Sequence, residues 1–302
     1  MMCFFNRSLL LAFFFTFITS FFSFHSQPFF LSAGELSNPQ GYVFEKTRSE
    51  KVSFEGLRLR KGEETIWEIH LDALEGKPFI APMRLSDGRD AALLRPKDHV
   101  WHLGIWFSWK YLNGVNYWEP SSGKTIIRSA VPRINEDSAE IKIQLDYVNQ
   151  NEPDKVVLKE ERTILFTLPE ADGTYSVRFF HHFTAQEKDV VLDRTPPHRH
   201  GGGYAGLMLR LDPIFGKFET RCANGEKEMR TIREKPADWI EYRDPETGTG
   251  IRMTVEKGTP ETRFYAQRSD SYCLINPCPV MTGPRTIRAG EALDLEYLVE
   301  IF

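Results

Sequence analysis

From residue 41 onward, apolar and polar positions alternate with a period of two in short runs separated by Gly, Pro, Asn or Asp. Glu140 to Val148 is the clearest run. Ile141, Ile143, Leu145 and Tyr147 share one side, and Lys142, Gln144 and Asp146 the other. Successive side chains of an extended chain point to opposite faces, so the pattern predicts half-buried strands. The same reading covers Val52 to Arg60, Glu63 to Leu71, Arg162 to Leu168, Tyr175 to Thr184, Gly206 to Leu211, Lys217 to Thr220, Gly250 to Glu256 and Ala292 to Ile301. Asp87-Gly88 and Ala171-Asp172-Gly173 read as hairpin turns. No long amphipathic helix, internal repeat or compositional break interrupts the series. The expected fold is all-β, a large antiparallel two-sheet sandwich of the supersandwich kind, forming a single domain over residues 33–302.

The N-terminus follows a different pattern. Arg7 precedes an almost unbroken apolar run from Leu9 to Phe24, with small residues at Ala33-Gly34. A charge followed by a run shorter than the roughly 20 residues of a membrane span is the form of an export signal. Residues 1–32 are therefore expected to be a signal peptide, cut between about residues 22 and 34. The alternative is an uncleaved anchor. Past residue 34 no run is apolar enough to span a membrane, so the expected location is periplasmic or extracellular, without membrane contact after cleavage.

Composition narrows the partners. The net charge is −4, the pI is near 6.1, and acidic and basic residues are interspersed, which argues against nucleic acid as a partner. No Gly-rich phosphate loop is present, since no helix pattern opens after Gly201-Gly202-Gly203. Beyond the signal, three cysteines remain: Cys222, Cys273 and Cys278. Cys273 and Cys278 flank Asn276-Pro277, a turn-forming pair, and are expected to lie within bridging distance. Their spacing does not suggest structural zinc.

The candidate chemistry gathers in two clusters. Asp98-His99-Val100-Trp101-His102-Leu103-Gly104 runs on into a stretch containing Trp106, Trp109, Tyr111, Tyr117 and Trp118. The second cluster, Pro196-Pro197-His198-Arg199-His200-Gly201-Gly202-Gly203-Tyr204, has the punctuation of a loop. Histidine titrates near neutral pH, so His99, His102, His198 and His200 are candidate acids and bases. Both clusters are expected to line one concavity. No cofactor is expected; a divalent metal held by these histidines is the alternative, without a recognised ligand signature. Aromatic rings stack on sugar C–H faces, and Trp101, Trp109 and Tyr204 are candidates, with about half of the tryptophans expected in the core. Arg84, Arg95, Arg199 and Arg210 could bind a carboxylate or sulfate. His70, His181 and His182 lie within strands and are expected to be hydrogen-bonding residues.

These motifs, in order, resemble those of the PmoA-like family over about residues 75 to 302. Lys77-Pro78-Phe79-Ile80-Ala81-Pro82-Met83 is similar to R-P-Y-I-x-P-L, and Asp98-His99-Val100-Trp101-His102-Leu103-Gly104 to D-H-x-H-H-x-G. Asn113-Gly114-Val115-Asn116-Tyr117-Trp118 is similar to N-G-V-D-F-W, and Gly202-Gly203-Tyr204-Ala205-Gly206-Leu207 to G-G-Y-G-G-L. Trp101 stands where the family has the first His of its pair. The family shares its name with a methane-oxidising membrane subunit, but this chain lacks the multiple spans of that protein, so methane chemistry and its copper centre are not expected. The resemblance implies a β-sandwich protein acting among polysaccharide-degrading functions. The leading expectation is an enzyme acting on sugars or oligosaccharides by elimination, dehydration or epimerisation, with His102 and His200 as base and acid. His99 and His198 would support them, and Arg199 or Tyr204 would stabilise charge. The alternatives are a non-catalytic carbohydrate-binding module, and a glycoside hydrolase using Asp98 and Glu119.

Overall fold

In the computed structural model of the 302-residue chain, the described residues are 36–37, 41–48, 55–72, 74–196 and 202–302. The expected all-β sandwich is observed. Among the described residues, nine antiparallel strands form one sheet, in the spatial order Leu36–Ser37, Tyr42–Arg48, Glu55–Lys61, Glu64–His70, Phe79–Met83, Ile105–Ser108, Gly206–Leu211, Cys273–Cys278 and Arg263–Arg268. Eight form the second: Glu219–Cys222, Trp239–Arg243, Gly250–Lys257, Ala292–Ile301, Tyr175–Ala185, Glu152–Thr167, Ser138–Asn149 and Gly123–Ile134. A small third sheet joins Arg285–Ile287, Val190–Asp193, Tyr111–Leu112 and Val115–Asn116. These residues belong to one compact unit spanning 35–302.

Alternation drives the packing. Tyr175–Ala185 buries every second side chain, including His181 and Phe183, while His182 turns outward to Asp294. Trp67 from the first sheet stacks on Phe166 from the second at 3.8 Å, and Phe107 meets Phe183 at 5.3 Å. Directly opposite residues of an antiparallel pair share a face. Leu207 pairs with Phe107 and Leu209 with Ile105, and Phe107 touches the second sheet, so these four face the sandwich interior. Trp106, Met208, Arg210, Leu274 and Gln267 are register partners on the other face. That second face matters because it is also covered. Gly206–Leu211 and Cys273–Cys278 are buried at every position.

An ionic cluster is enclosed in the interior. Glu160 accepts hydrogen bonds from Tyr147 at 2.6 Å and from Arg162 at 2.6 and 2.9 Å, and it contacts His181 Nδ1 at 2.7 Å. Burial alone would raise the Glu160 carboxyl, but Arg162 and His181 outweigh it and hold it down at about 2.

Two sequence expectations are corrected here. Lys217 to Thr220 is not one strand, because Pro213–Lys217 forms a 3-10 turn and the strand starts at Glu219. Asn276-Pro277 is no turn. It lies inside the strand Cys273–Cys278, and five steps of about 3.3 Å separate the two cysteine Cα atoms by about 16 Å, beyond the roughly 7 Å limit of a disulfide. Cys222, Cys273 and Cys278 are free and buried. The Asp87-Gly88 and Ala171-Asp172-Gly173 turns are present, with both glycines at positive φ.

Candidate functional site

The covered face of the nine-stranded sheet forms the floor of a cavity of about 390 Å³. Met208, Leu274, Gln267 and Tyr265 come from the sheet, His99, Trp101 and His102 from the loop before Ile105–Ser108, Trp118 from the bend after Val115–Asn116, and Gly202, Tyr204 and Tyr272 from flanking loops. Its volume is within the range of about 300–1,000 Å³ typical of small-molecule sites.

The histidine loop is closed on itself. His99 N donates to Pro96 O, His102 N to His99 O and Arg95 N to His102 O, and Leu94 bridges Leu103 at its neck. Gly104, at φ 69, ends it, and a Cβ there would meet Ile80 O at 2.7 Å, so only glycine fits. The Gly104 carbonyl then accepts from Arg210 N, fixing the loop to the cavity floor.

Within this loop the two histidines have different environments. His99 is one-third exposed, and its Nδ1 lies 2.8 Å from Asp98 Oδ2, leaving Nε2 for a ligand. Asp98 also receives Arg210 Nη2 at 3.1 Å. Burial alone would raise the Asp98 carboxyl, but the His99 hydrogen bond and the Arg210 charge prevail and lower it. His102 is 3% exposed, stacks on His99 at 4.6 Å, and has a buried Nδ1 without a hydrogen-bond partner. Burial first, then the nearby His99 and Arg210 charges, lower its pKa to about 3. His102 is therefore neutral at ordinary pH and a poor proton carrier, whereas His99 has the orienting carboxylate that a general base needs.

The opposite wall is built on the Asn113-Gly114 hairpin. Asn116 Oδ1 accepts from Trp118 N at 2.8 Å, and Asn116 Nδ2 donates to Glu119 Oε2 at 2.7 Å. Lys110, 4% exposed, ion-pairs with the same carboxylate. Burial raises the Glu119 pKa, but the Lys110 and Asn116 hydrogen bonds more than offset it. Tyr204 donates to Glu119 Oε1 at 3.3 Å, and burial, reinforced by Glu119, raises its phenol well above the ordinary value.

The structure thus brings together His99, His102, Trp101 and Tyr204 from the sequence-derived candidates. His198, Arg199 and His200 lie outside the described residues, so the shared concavity is described only from Gly202 onward on that side. Trp109 is corrected: it is fully buried among Phe107 and Phe183 and does not reach the cavity. Arg95 is also corrected, because it pairs with Glu75 at 2.8 Å and is absent from the described lining. Arg84 and Arg210 are likewise engaged, Arg84 with Thr65 and Gly88 carbonyls and Arg210 with Asp98. His70 bonds the Ala81 carbonyl at 2.6 Å, as a hydrogen-bonding residue would. Sequence reading missed Tyr265, Gln267 and Tyr272. For Tyr265 and Gln267 the signal is register: Gln267 opposes Leu274, and Tyr265 opposes Asn276, on the cavity face. Among the described residues no group of three or more His, Cys, Asp or Glu is arranged to hold a metal, and no helix is long and apolar enough to cross a membrane.

Comparison with known proteins adds a family. Residues 56–302 match a family described as a family of unknown function (DUF6807). No curated protein matches the chain. Among solved structures, the Slr1438 protein from Synechocystis sp. PCC 6803 is 8% identical, with a TM-score of 0.47 over 84% of this chain and 98% of that one. Galactose 1-epimerase from Lactobacillus acidophilus NCFM is 10% identical, with a TM-score of 0.43 over 85% and 97%. A glycoside hydrolase family 97 enzyme from Pseudoalteromonas sp. strain K8 is 6% identical, with a TM-score of 0.32 over 88% of this chain and 34% of that one. At these scores no chemistry passes from those proteins to this chain.

Proposed function

The chain belongs to DUF6807, a family of unknown function, and from that premise we propose that it is a carbohydrate-active enzyme working by acid/base chemistry on a sugar bound in the described cavity. The observation that carries this reading is His99, oriented by Asp98, opening on a cavity walled by Trp101, Tyr204, Tyr265 and Tyr272. Aromatic walls fit the apolar faces of sugar rings, and an imidazole with one nitrogen fixed by a carboxylate can take a proton at the other. His99 is the base in this reading. His102, neutral and enclosed, is a positioning residue that holds the His99 ring by stacking. Tyr204 lines the cavity with its ring, and its phenol hydrogen is directed to Glu119 Oε1 at 3.3 Å, so it serves as wall rather than as a free donor. Elimination, dehydration and epimerisation all use such a set.

The PmoA-like motif series over about residues 75 to 302 falls within the matched region, and we take the two as one kinship. Residues 1–32 are proposed to direct export, placing the cavity where polysaccharide fragments occur.

The test is turnover. The purified protein is incubated with panels of mono- and oligosaccharides, and products are read by mass spectrometry and by proton exchange in deuterated water. A loss of 18 mass units marks dehydration, and deuterium uptake at unchanged connectivity marks epimerisation. His99→Asn should lower turnover at least 100-fold. Unchanged turnover in that variant removes His99 from the mechanism. Binding without turnover of any sugar in the panel leaves a binding module.

A further inference from the structure

We infer that the cavity selects an uncharged, hydroxyl-rich ligand, a neutral sugar ring in preference to a uronate or a sulfated sugar; this inference rests on the carbohydrate reading above.

Among the described residues, three cations beside the cavity each pack against one of its tyrosines. Arg210, 1% exposed, lies 3.6 Å from the Tyr272 ring centroid and pairs with Asp98 through Nη2, while its buried Nε and Nη1 make no hydrogen bond. Arg233 lies 4.7 Å from the Tyr265 ring centroid and donates to the Gly202 carbonyl at 3.1 Å. Lys110 lies 5.2 Å from the Tyr204 ring centroid and pairs with Glu119. In each case the tyrosine lines the cavity and the cation is not among the described lining residues. A ligand on this side therefore meets phenol rings before it meets positive charge.

The polarity of the hydrogen-bonding groups agrees. Gln267 Nε2 donates to Tyr265 Oη at 2.9 Å, so the phenol hydrogen remains to be donated. Asp98 occupies His99 Nδ1, and in the tautomer that this contact selects Nε2 is an acceptor. A hydroxyl can accept from Tyr265 and donate to His99, whereas a carboxylate or sulfate only accepts and would set its lone pairs against those of Nε2. Burial also acts on the walls themselves. It raises the phenols of Tyr265 and Tyr272, the latter to about 12, and lowers His102 to about 3. An environment that holds its own groups uncharged imposes the same desolvation penalty on a charged ligand.

The experiment measures Kd by calorimetry on the full chain at pH 8, above the ordinary histidine range. Methyl glucoside and methyl galactoside are compared with methyl glucuronide, methyl galacturonide and galactose 6-sulfate. At least one neutral glycoside should bind roughly tenfold or more tightly than its uronate counterpart. Tyr265→Phe and Gln267→Leu should each weaken that glycoside about fivefold, which locates it in the cavity. A uronate or sulfated sugar that binds as tightly as the neutral one, and is weakened by the same substitutions, overturns the selectivity and leaves the carbohydrate reading standing. If neither class binds, the carbohydrate reading itself falls and this inference with it.

Discussion

Replacing His102 with Phe should flatten the loss of stability toward acid. His102 is 3% exposed, packed between His99 at 4.6 Å and Trp106 at 5.1 Å, and its enclosed Nδ1 makes no hydrogen bond. Phe keeps a planar ring in the same slot, so at pH 7 the two proteins should differ by no more than about 1 kcal/mol. The pKa of His102 falls from 6.5 to about 3 on folding. Between those values the unfolded chain takes up a proton that the folded protein refuses, so unfolding gains from every added proton. Stability is therefore complete above pH 6.5 and is lost as pH falls, by about 1.4 kcal/mol per pH unit. From pH 6.5 to pH 4 the His102 share is about 3 kcal/mol. The buried Glu160 and His181 are lowered too, to about 2 and about 4, and they add acid sensitivity that both proteins share. Urea unfolding at pH 7 and pH 4 isolates the difference: the wild type should lose about 3 kcal/mol more than His102→Phe across that interval. Parallel losses would show that His102 is not held neutral by burial, and would return it to the list of possible bases.

Other consequences follow from buried polar groups and from the N-terminus. Glu160→Ala leaves Arg162, which is 2% exposed, and His181 without their shared acceptor, and should cost about 3–5 kcal/mol in chemical denaturation. Asn276→Ala removes two donors, at 2.9 Å to Ala205 O and 2.6 Å to Leu207 O, and should cost about 2–3 kcal/mol in chemical denaturation. Thermal unfolding should be the same with and without reductant, because the free thiols of Cys273 and Cys278 lie far apart on one strand; a shift would mean a bridge. Expression in a bacterial host should yield a new N-terminus between about residues 22 and 34, and an intact Met1 in the soluble fraction would refute the export reading.

Most strands legible in the sequence have one wet face; Gly206–Leu211, buried at every position, is an exception. Ser138–Asn149, Tyr175–Ala185 and Ala292–Ile301 alternate because the second sheet turns one side outward. Cys273–Cys278 was not legible. It is buried on both faces, so it has no period, and its Asn-Pro pair has the chemistry of a turn. Pro277 can sit in that strand because the donor it lacks is replaced locally: the Asn276 side chain supplies N–H groups to the carbonyls of Ala205 and Leu207. For the same reason the tryptophans could not be sorted from composition alone. Trp106 and Phe107 are neighbours in sequence but face opposite ways, one toward the cavity wall and one toward Phe183.

The site shows where reading by residue type stops. His99 and His102 are three positions apart in one motif, and nothing in their spacing separates a proton carrier from a packed ring. Depth separates them. One imidazole is near enough to solvent to keep a carboxylate partner and an available nitrogen, whereas the other is sealed against Trp106 and loses the ability to charge. In the proposed reading, the motif therefore encodes a base and its support rather than two equivalent bases. Trp101 fits that division, since its ring packs edge-on against His99 at 5.3 Å, where a third imidazole would add another titrating group instead of an apolar wall. Among the described residues the cavity holds one carboxylate-partnered imidazole, one enclosed imidazole and three phenols, the set that the proposed proton transfer on an uncharged substrate calls for.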